Sequence, residues 1–288
     1  MAAPPCPICT HETELLGEKR GRYKSGAFRY RRCLHCRFAF VENPWLHHEA
    51  IYDERYYLGR GADPMVDYLF ELDHPAATIR AYEWRGIHAL VTSLVKSDSP
   101  LTWLDYGCGN GGLVRYLRQH TPIEAWGWET GWIRAEAESR HIPFLSHPSA
   151  HAPFDVVTAI EVLEHLPDPL TVARQIRGLL KPGGLFFYTT GNAAPHSADL
   201  LRWPYAIPEI HIALYEPRTL HVLLEHSGFA PFVPARLPGA TDVLRFKILK
   251  NLGFRGRNPF ERLLPWPALA RLADRRYQVF AHPLGRAI

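Results

Sequence analysis

Three groups of residues in this chain have the types and spacing for chemistry. The first is the string Asp105-Tyr106-Gly107-Cys108-Gly109-Asn110-Gly111-Gly112. A turn built on Gly107 and Gly109 can be tight, and a ligand can reach the backbone there with no Cβ in its way. A helix starting after the glycines would point its free N–H groups at that ligand. Gly107, Gly109 and Gly112 also fit the G-x-G-x-x-G spacing of dinucleotide sites, so the loop alone announces a cofactor without choosing it. Glu129, at the end of the next apolar run, can accept hydrogen bonds from both hydroxyls of a ribose and does not discriminate either.

The second group is Glu161, Glu164 and His165, joined at a distance by His211. A histidine titrating near neutrality suits proton removal from a hydroxyl or an activated carbon, which makes His165 the first candidate base. Together with His211 the same segment would offer two carboxylates and two imidazoles to a divalent ion such as Mg2+. A third reading has Glu164 and His165 merely order the loop. The third group is Cys6-Pro7-Ile8-Cys9 and Cys33-Leu34-His35-Cys36, two knuckles separated by 23 residues. Four thiolates on two tight turns suit tetrahedral Zn2+, and a head with so few aliphatic side chains needs such a staple to fold.

The body that must position these groups reads as alternating strand and helix. The apolar runs LTWLDY (101–106), EAWGWE (124–129), IPFL (142–145), FDVVTAI (154–160) and GLFFYTT (184–190) are five candidate buried strands. Helical patterns fall between them at 111–120 and 168–180, the latter stopped by Lys181-Pro182-Gly183-Gly184. An amphipathic pattern over 74–95 leads into the first strand. Parallel strands require crossovers and helices supply them, so the class is α/β with both faces of the sheet covered. Open sheets of this kind bind ligands at the carboxyl ends of their strands, where Glu161, Glu164 and His165 fall. Pro217 opens a helix over 217–227 and Gly228 closes it. The runs 231–237 and 241–250, separated by Pro238-Gly239-Ala240, read as a final hairpin. The organisation expected is a zinc ribbon (1–42), a linker or substrate-side segment with short helices (43–73, including Pro64), the main domain (74–250) and a basic extension (251–288).

Three strings in order, LDYGCGNG (104–111), FDVVTAIEVLEHLPDP (154–169) and LLKPGGLFFYTT (179–190), resemble motifs of the class I S-adenosylmethionine-dependent methyltransferases. The resemblance implies a Rossmann-like, seven-stranded methyltransferase sheet, five strands parallel and a terminal hairpin. It implies that Asp105 serves the aminoacyl end of S-adenosylmethionine, directly or through the backbone of Gly107, Cys108, Gly109 and Asn110. Glu129 would hold the ribose, and Glu161 would lie under the cofactor. Adenine would lie near Ser146 and against Trp132, which reads equally well as core packing. HIALYEPRTLHVLLEHSGF (211–229) resembles the segment that caps the active site in this group, giving His211 a catalytic or substrate role. The Glu161, Glu164, His165 and His211 set resembles metal sites of some RNA 2′-O-methyltransferases and quinone-biosynthesis O-methyltransferases. The cysteine head resembles the zinc-binding region of sugar C-methyltransferases, and zinc ribbons also head ribosomal RNA methyltransferases.

Composition narrows the partners. Net charge is +4, with eight Lys/Arg against three Glu over 1–40 and eleven Lys/Arg against three Asp/Glu over 236–288. Nucleic acid would call for a more positive chain, so a small molecule, sugar or glycan precursor is the expected acceptor, with O- or C-methylation open. RNA or a quinone precursor with metal assistance is the alternative, and a zinc-ribbon scaffold that binds no cofactor is the non-enzymatic one. No run of eighteen apolar residues occurs and the stretch from Met1 to Arg20 lacks a leader pattern, so the expectation is cytoplasmic. The Arg-rich tail reads as a docked amphipathic helix or a membrane-surface contact.

Overall fold

The computed structural model describes residues 3–61, 66–235 and 237–288; Met1 and Pro64, which entered the sequence reading, lie outside them. In chain order the elements are β1 (Thr13–Arg20), β2 (Ala27–Cys33), β3 (Ala39–Val41), α1 (Glu54–Tyr57), α2 (Tyr68–Asp73), α3 (Arg80–Leu94), β4 (Thr102–Tyr106), α4 (Gly112–His120) and β5 (Glu124–Trp128). There follow α5 (Ile133–Ser139), β6 (Phe154–Ile160), α6 (Pro169–Leu179), β7 (Leu180–Thr189), β8 (Ala213–Leu214), α7 (Pro217–His226), β9 (Phe229–Phe232), α8 (Ala240–Asn251), α9 (Trp266–Tyr277) and β10 (Leu284–Ala287). The chain forms two compact units. A ribbon unit comprises Met1–His48, Ala159–Val233 and Tyr277–Ile288, and a glycine-loop unit comprises Glu49–Thr158 and Pro234–Arg276.

In the glycine-loop unit, β4 pairs in parallel with β5 and with β6, placing Asp105 opposite Gly127 on one side and Thr158 on the other. Trp103, Leu104, Val156 and Val157 have no exposed surface, as expected where a parallel sheet is covered on both faces. Helix α4 turns Leu113, Val114 and Leu117 inward, the spacing of one helical face. The run 142–145 contracts to a single bridge, Gly127 to Phe144. Helix α3 begins at Arg80 rather than near 74 and packs against α8. The two backbones meet at glycines: a Cβ on Gly86 would lie 2.7 Å from the carbonyl oxygen of Gly239.

The ribbon unit holds two antiparallel arrangements, β1-β2-β3-β8 and β7-β10-β9. The α/β class stands, but the closing hairpin is built differently from the sequence reading. Residues 240–251 are helix α8, and the partner of β9 is β10 at the end of the chain. The reason is visible in burial: Val243, Phe246 and Leu249 recur at three-residue steps and face inward with Leu244, and Gly239 at φ 86° opens the helix. The alternation Leu244-Arg245-Phe246-Lys247-Ile248 suggested a strand, and tertiary packing of the three-step face overrode it. Strand β10 is only Leu-Gly-Arg-Ala, which carries no strand signal. The tail helix α9 is present, with Phe260 and Leu263 ahead of it 75% and 81% exposed. Among the described residues no helix is long and apolar enough to cross a membrane.

Because Gly86 and Gly239 touch through backbone, Gly86→Ala should force α3 and α8 apart. We expect a loss of about 1–3 kcal/mol in the denaturant midpoint analysis, the usual cost of overpacking. A variant as stable as the parent would contradict this contact.

Candidate active site

The glycine loop is built from three left-handed residues, Gly107 (φ 69°), Gly109 (φ 53°) and Gly111 (φ 70°), a conformation that costs other L-residues about 1–2 kcal/mol each. The N–H groups of Gly107 and Cys108 donate to the carbonyl of Trp128 at 2.8 and 3.2 Å, closing the loop onto the end of β5. Gly109 N–H donates to Glu129 Oε2 at 3.0 Å, while Glu129 Oε1 accepts from Thr130 and Gly131 N–H at 2.7 and 2.9 Å. The loop and its acidic partner are therefore one hydrogen-bonded object. Cys108 Sγ occupies the space that a Cβ on Gly127 would fill, 2.6 Å away. Gly112 is demanded by packing, since its Cβ would lie 2.1 Å from the Trp84 ring.

Asp105 is buried and accepts from Thr158 Oγ1 at 2.7 Å. Burial pushes its carboxyl up to about 7; the Thr158 bond opposes this and the nearby Glu129 and Glu83 charges add to it. A cation brought to this loop would find a carboxylate short of counter-charge. Asn110 is a further hub: Nδ2 donates to Tyr68 O and Glu71 Oε2 at 3.0 and 3.3 Å, and Oδ1 accepts from Gly112 N–H at 3.0 Å. Glu71 is in turn paired with Arg80 at 3.0 Å. Trp132 is not core: it is 38% exposed and stacks on Tyr57, ring centroids 5.8 Å apart. Tyr57 and Glu71 come from the bridge segment and were missed, because they lie on helices of four and six residues too short to show a period.

The ribbon unit gathers the second group. Glu161 leaves β6 at φ 53°, a left-handed position that costs a non-glycine residue about 1–3 kcal/mol and often marks a functional turn. Its N–H donates to Thr189 O at 3.0 Å and its Oε1 accepts from Thr189 Oγ1 at 2.8 Å. Glu164 has no exposed surface and accepts from Thr190 Oγ1 at 2.8 Å. Tyr205, absent from the sequence reading, sits between the two acids: its hydroxyl meets Glu164 Oε1 at 2.5 Å and Glu161 Oε2 at 3.3 Å, and accepts from Gly191 N–H at 3.2 Å. One phenol proton cannot serve both carboxylates. The phenol donates to the nearer Glu164 Oε1, and burial, then repulsion from Glu161, pushes the Glu164 carboxyl up to about 8.

His165 and His211 border this network. Their Nδ1 atoms lie 2.8 and 2.6 Å from the backbone carbonyls of Ile210 and Tyr205. A carbonyl only accepts, so each Nδ1 carries hydrogen and each neutral ring turns its basic lone pair to Nε2. The His211 ring stacks on Tyr205 at 3.9 Å and lies 5.2 Å from His165. Ligand atoms of Glu164, His165 and His211 fall within 4.8 Å of one another. One carboxylate and two imidazoles form a donor set suited to zinc or iron rather than to Mg2+, which takes oxygen ligands. Glu161, the fourth ligand envisaged, is not in this group; it is engaged with Thr189 and Tyr205.

The four head cysteines are buried with their Sγ atoms within 4.8 Å of one another. Ile8 N–H points at Cys6 Sγ, and His35 and Cys36 N–H at Cys33 Sγ, all at 3.4 Å. Acceptance of a bond from Cys36 lowers the Cys6 thiol to about 5. Burial raises the Cys9 thiol to about 11, and the bond to Cys6 with burial raises Cys36 as well; four sulfurs gathered this closely fit a tetrahedral soft ion, which would supply the missing positive charge.

A family model described as a methyltransferase domain matches residues 77–232. The ubiquinone biosynthesis O-methyltransferase of Albidiferax ferrireducens is 36% identical over 107 residues, 33% of this chain and 42% of that protein. The same enzyme of Bordetella avium is 36% identical over 137 residues, 40% of this chain and 56% of that protein. The chain thus spans about half the length of these curated relatives. A solved structure of the plantazolicin methyltransferase BpumL with a monoazolic desmethyl analogue and SAH is 14% identical, covering 72% of this chain and 89% of that one at a TM-score of 0.46.

The Glu164–Tyr205–Glu161 network carries a pH signature. Glu164 is raised on folding, so its contribution is complete below about pH 4 and is lost as pH climbs through about 8. Stability measured by denaturant should therefore decline between pH 5 and 8, and Glu164→Gln should flatten that decline. Tyr205→Phe strips both acids of their shared partner and should cost about 1–3 kcal/mol; an unchanged midpoint for Tyr205→Phe would argue against the network.

Proposed function

Because this chain belongs to the methyltransferase-domain family, we propose that it transfers the methyl group of S-adenosylmethionine to an oxygen or carbon of a small molecule, sugar or glycan precursor. The observation that carries this reading is the pair His165 and His211, each fixed by a backbone carbonyl so that its neutral ring turns Nε2 outward from the bond. The cofactor, when bound, supplies an electrophilic methyl on a sulfonium. Asp105 would favour the cationic aminoacyl end, the Gly107–Gly111 backbone would admit it without Cβ obstruction, Glu129 would hold the ribose hydroxyls, and Trp132, backed by Tyr57, would offer a flat face to adenine. Nε2 of His165 or His211 would take the proton that the acceptor atom releases. Glu164, raised by burial and by Glu161, is held by Tyr205 and Thr190 beside the two imidazoles. The head cysteines Cys6, Cys9, Cys33 and Cys36 hold structural Zn2+ in this reading.

A phenolic quinone precursor is the second reading, favoured by the names of the curated relatives. RNA is disfavoured by how the head uses its arginines. Arg29 and Arg31 pair with Glu42 at 3.0 and 3.7 Å, and Arg32 pairs with Glu14 at 2.8 Å, so three of the eight Lys/Arg over 1–40 are spent internally.

Titration with S-adenosylhomocysteine over pH 6–8 tests the donor side, and turnover of nucleotide sugars and catechols tests the acceptor. Asp105 sits at about 7 in the free protein and must be ionised to receive a cation. Affinity should therefore hold above pH 7 and weaken as pH falls, by at most about tenfold per unit. Asp105→Asn should weaken binding and flatten this profile. A wild-type affinity independent of pH would sink the role given to Asp105, and no binding at all would favour a scaffold without cofactor.

A further inference from the structure

Strand β8 is two residues long and cannot define its own position in a sheet. The cysteine ribbon pairs with it, and Tyr215 just after it is held by a bridge to Asn192 and by the Ala193 N–H at 2.8 Å. Strand β3 begins just after Cys36 and pairs antiparallel with β8, Ala39 opposite Leu214 and Phe40 opposite Ala213. Val41 N–H donates to Ile212 O at 2.9 Å, and Cys33 N–H to Phe38 O at 2.8 Å, so the second knuckle and β3 are one unit. Further along, Thr219 Oγ1 donates to Cys36 O at 2.8 Å, and His226 Nδ1 donates to Ile8 O at 3.2 Å inside the first knuckle. Helix α7 is thereby tied to both knuckles.

A further tie is Glu209, which has no exposed surface. Its Oε1 accepts from the N–H groups of Tyr23 and Lys24 at 2.7 and 3.0 Å, at the tip of the β1–β2 hairpin. Gly21 makes this approach possible, since a Cβ there would lie 2.6 Å from Oε1. Glu209 Oε2 and the Tyr30 hydroxyl are both buried without a protein hydrogen-bond partner. A buried acid so sparsely served is costly, and the two hairpin N–H groups are what holds it. His211 lies two residues beyond Glu209 and two before β8, inside this set of ties.

We infer that the cysteine ribbon is the template on which the acceptor-side segment 205–216 is laid, and that Glu209 is the positioning residue that locks the hairpin tip to it. The inference rests on the reading of His211 and Tyr205 as acceptor-side groups. The ribbon is then not a separable recognition head: metal held by Cys6, Cys9, Cys33 and Cys36 fixes β3, β3 fixes β8, and β8 with Glu209 fixes His211 from both sides.

Hydrogen exchange of the full chain, zinc-loaded and after stripping with a chelator, reads this directly without any substrate. Stripping should speed exchange of amides in 205–216 by about tenfold or more, while amides of β4 and β5 keep their rates. In the zinc-loaded protein Glu209→Ala should reproduce the effect with S-adenosylhomocysteine affinity unchanged. Glu209→Gln, which keeps a carbonyl oxygen for both N–H groups, should restore slow exchange. Exchange in 205–216 indifferent to zinc would overturn the inference, as would an equal rise across β4 and β5, or Ala and Gln variants that behave alike. If His211→Ala instead leaves methyl transfer intact, the acceptor reading fails while the exchange result stands.

Discussion

A carboxylate taken out of water must be given donors, a cation or a proton, and the functional regions of this chain are arranged around four such demands. Asp105 receives one hydroxyl, from Thr158, and stays undersupplied at about 7. Glu71 receives Arg80 and the amide of Asn110. Glu164 receives Thr190 and Tyr205 and, with Glu161 so near, keeps its proton to about 8. Glu209 receives two backbone N–H groups from a distant hairpin. The manner of supply decides the use. An acid left short of counter-charge favours a cationic ligand, one buried beside a second acid holds its proton longer, and one held only by backbone N–H groups becomes a fastening.

The same logic separates the roles of neighbouring residues that look equivalent in sequence. Glu161 and Glu164 are three apart, yet one is forced into a left-handed turn at the end of β6 and the other is buried without exposed surface. Two acids this close cannot both ionise cheaply, and burial selects Glu164 as the one that stays protonated. His165 and His211 likewise owe their tautomers to carbonyls of Ile210 and Tyr205, not to a carboxylate.

Legibility in the sequence followed the range of the contacts. The glycine loop, Glu129 and Trp132 fall within one βαβ stretch, where spacing, strand runs and glycine φ demands are local, and that arrangement was readable. The two cysteine knuckles were readable for the same reason, each being a turn. The hairpin assigned to 231–250 was not, because alternation in Leu244–Ile248 and the three-step face of Val243, Phe246 and Leu249 coexist in one stretch, and only packing decides between them. Strand β10 is four residues with a glycine and an arginine; its identity as a strand is conferred by β7 and β9 on either side. Glu161 was not separable from Glu164 in the sequence, yet its carboxylate joins Thr189 and Tyr205 while Glu164 joins the histidines.

Tyr205 shows the limit most sharply. It lies in a Pro-rich loop with no period and no motif, 41 residues from Glu164, and its chemistry exists only because the loop folds back between two acids. Glu209 reaches 186 residues to Tyr23. Bonds of that span are invisible to pattern reading, which sees neighbours at two, three or four residues. They are also where the acceptor side differs physically from the donor side. A backbone loop can be specified by glycines alone, because what it needs is the absence of side chains. A cluster of two acids, a phenol and two imidazoles needs particular side chains brought from far apart, so its specification is spread over every element that fixes the loop, the cysteine ribbon included.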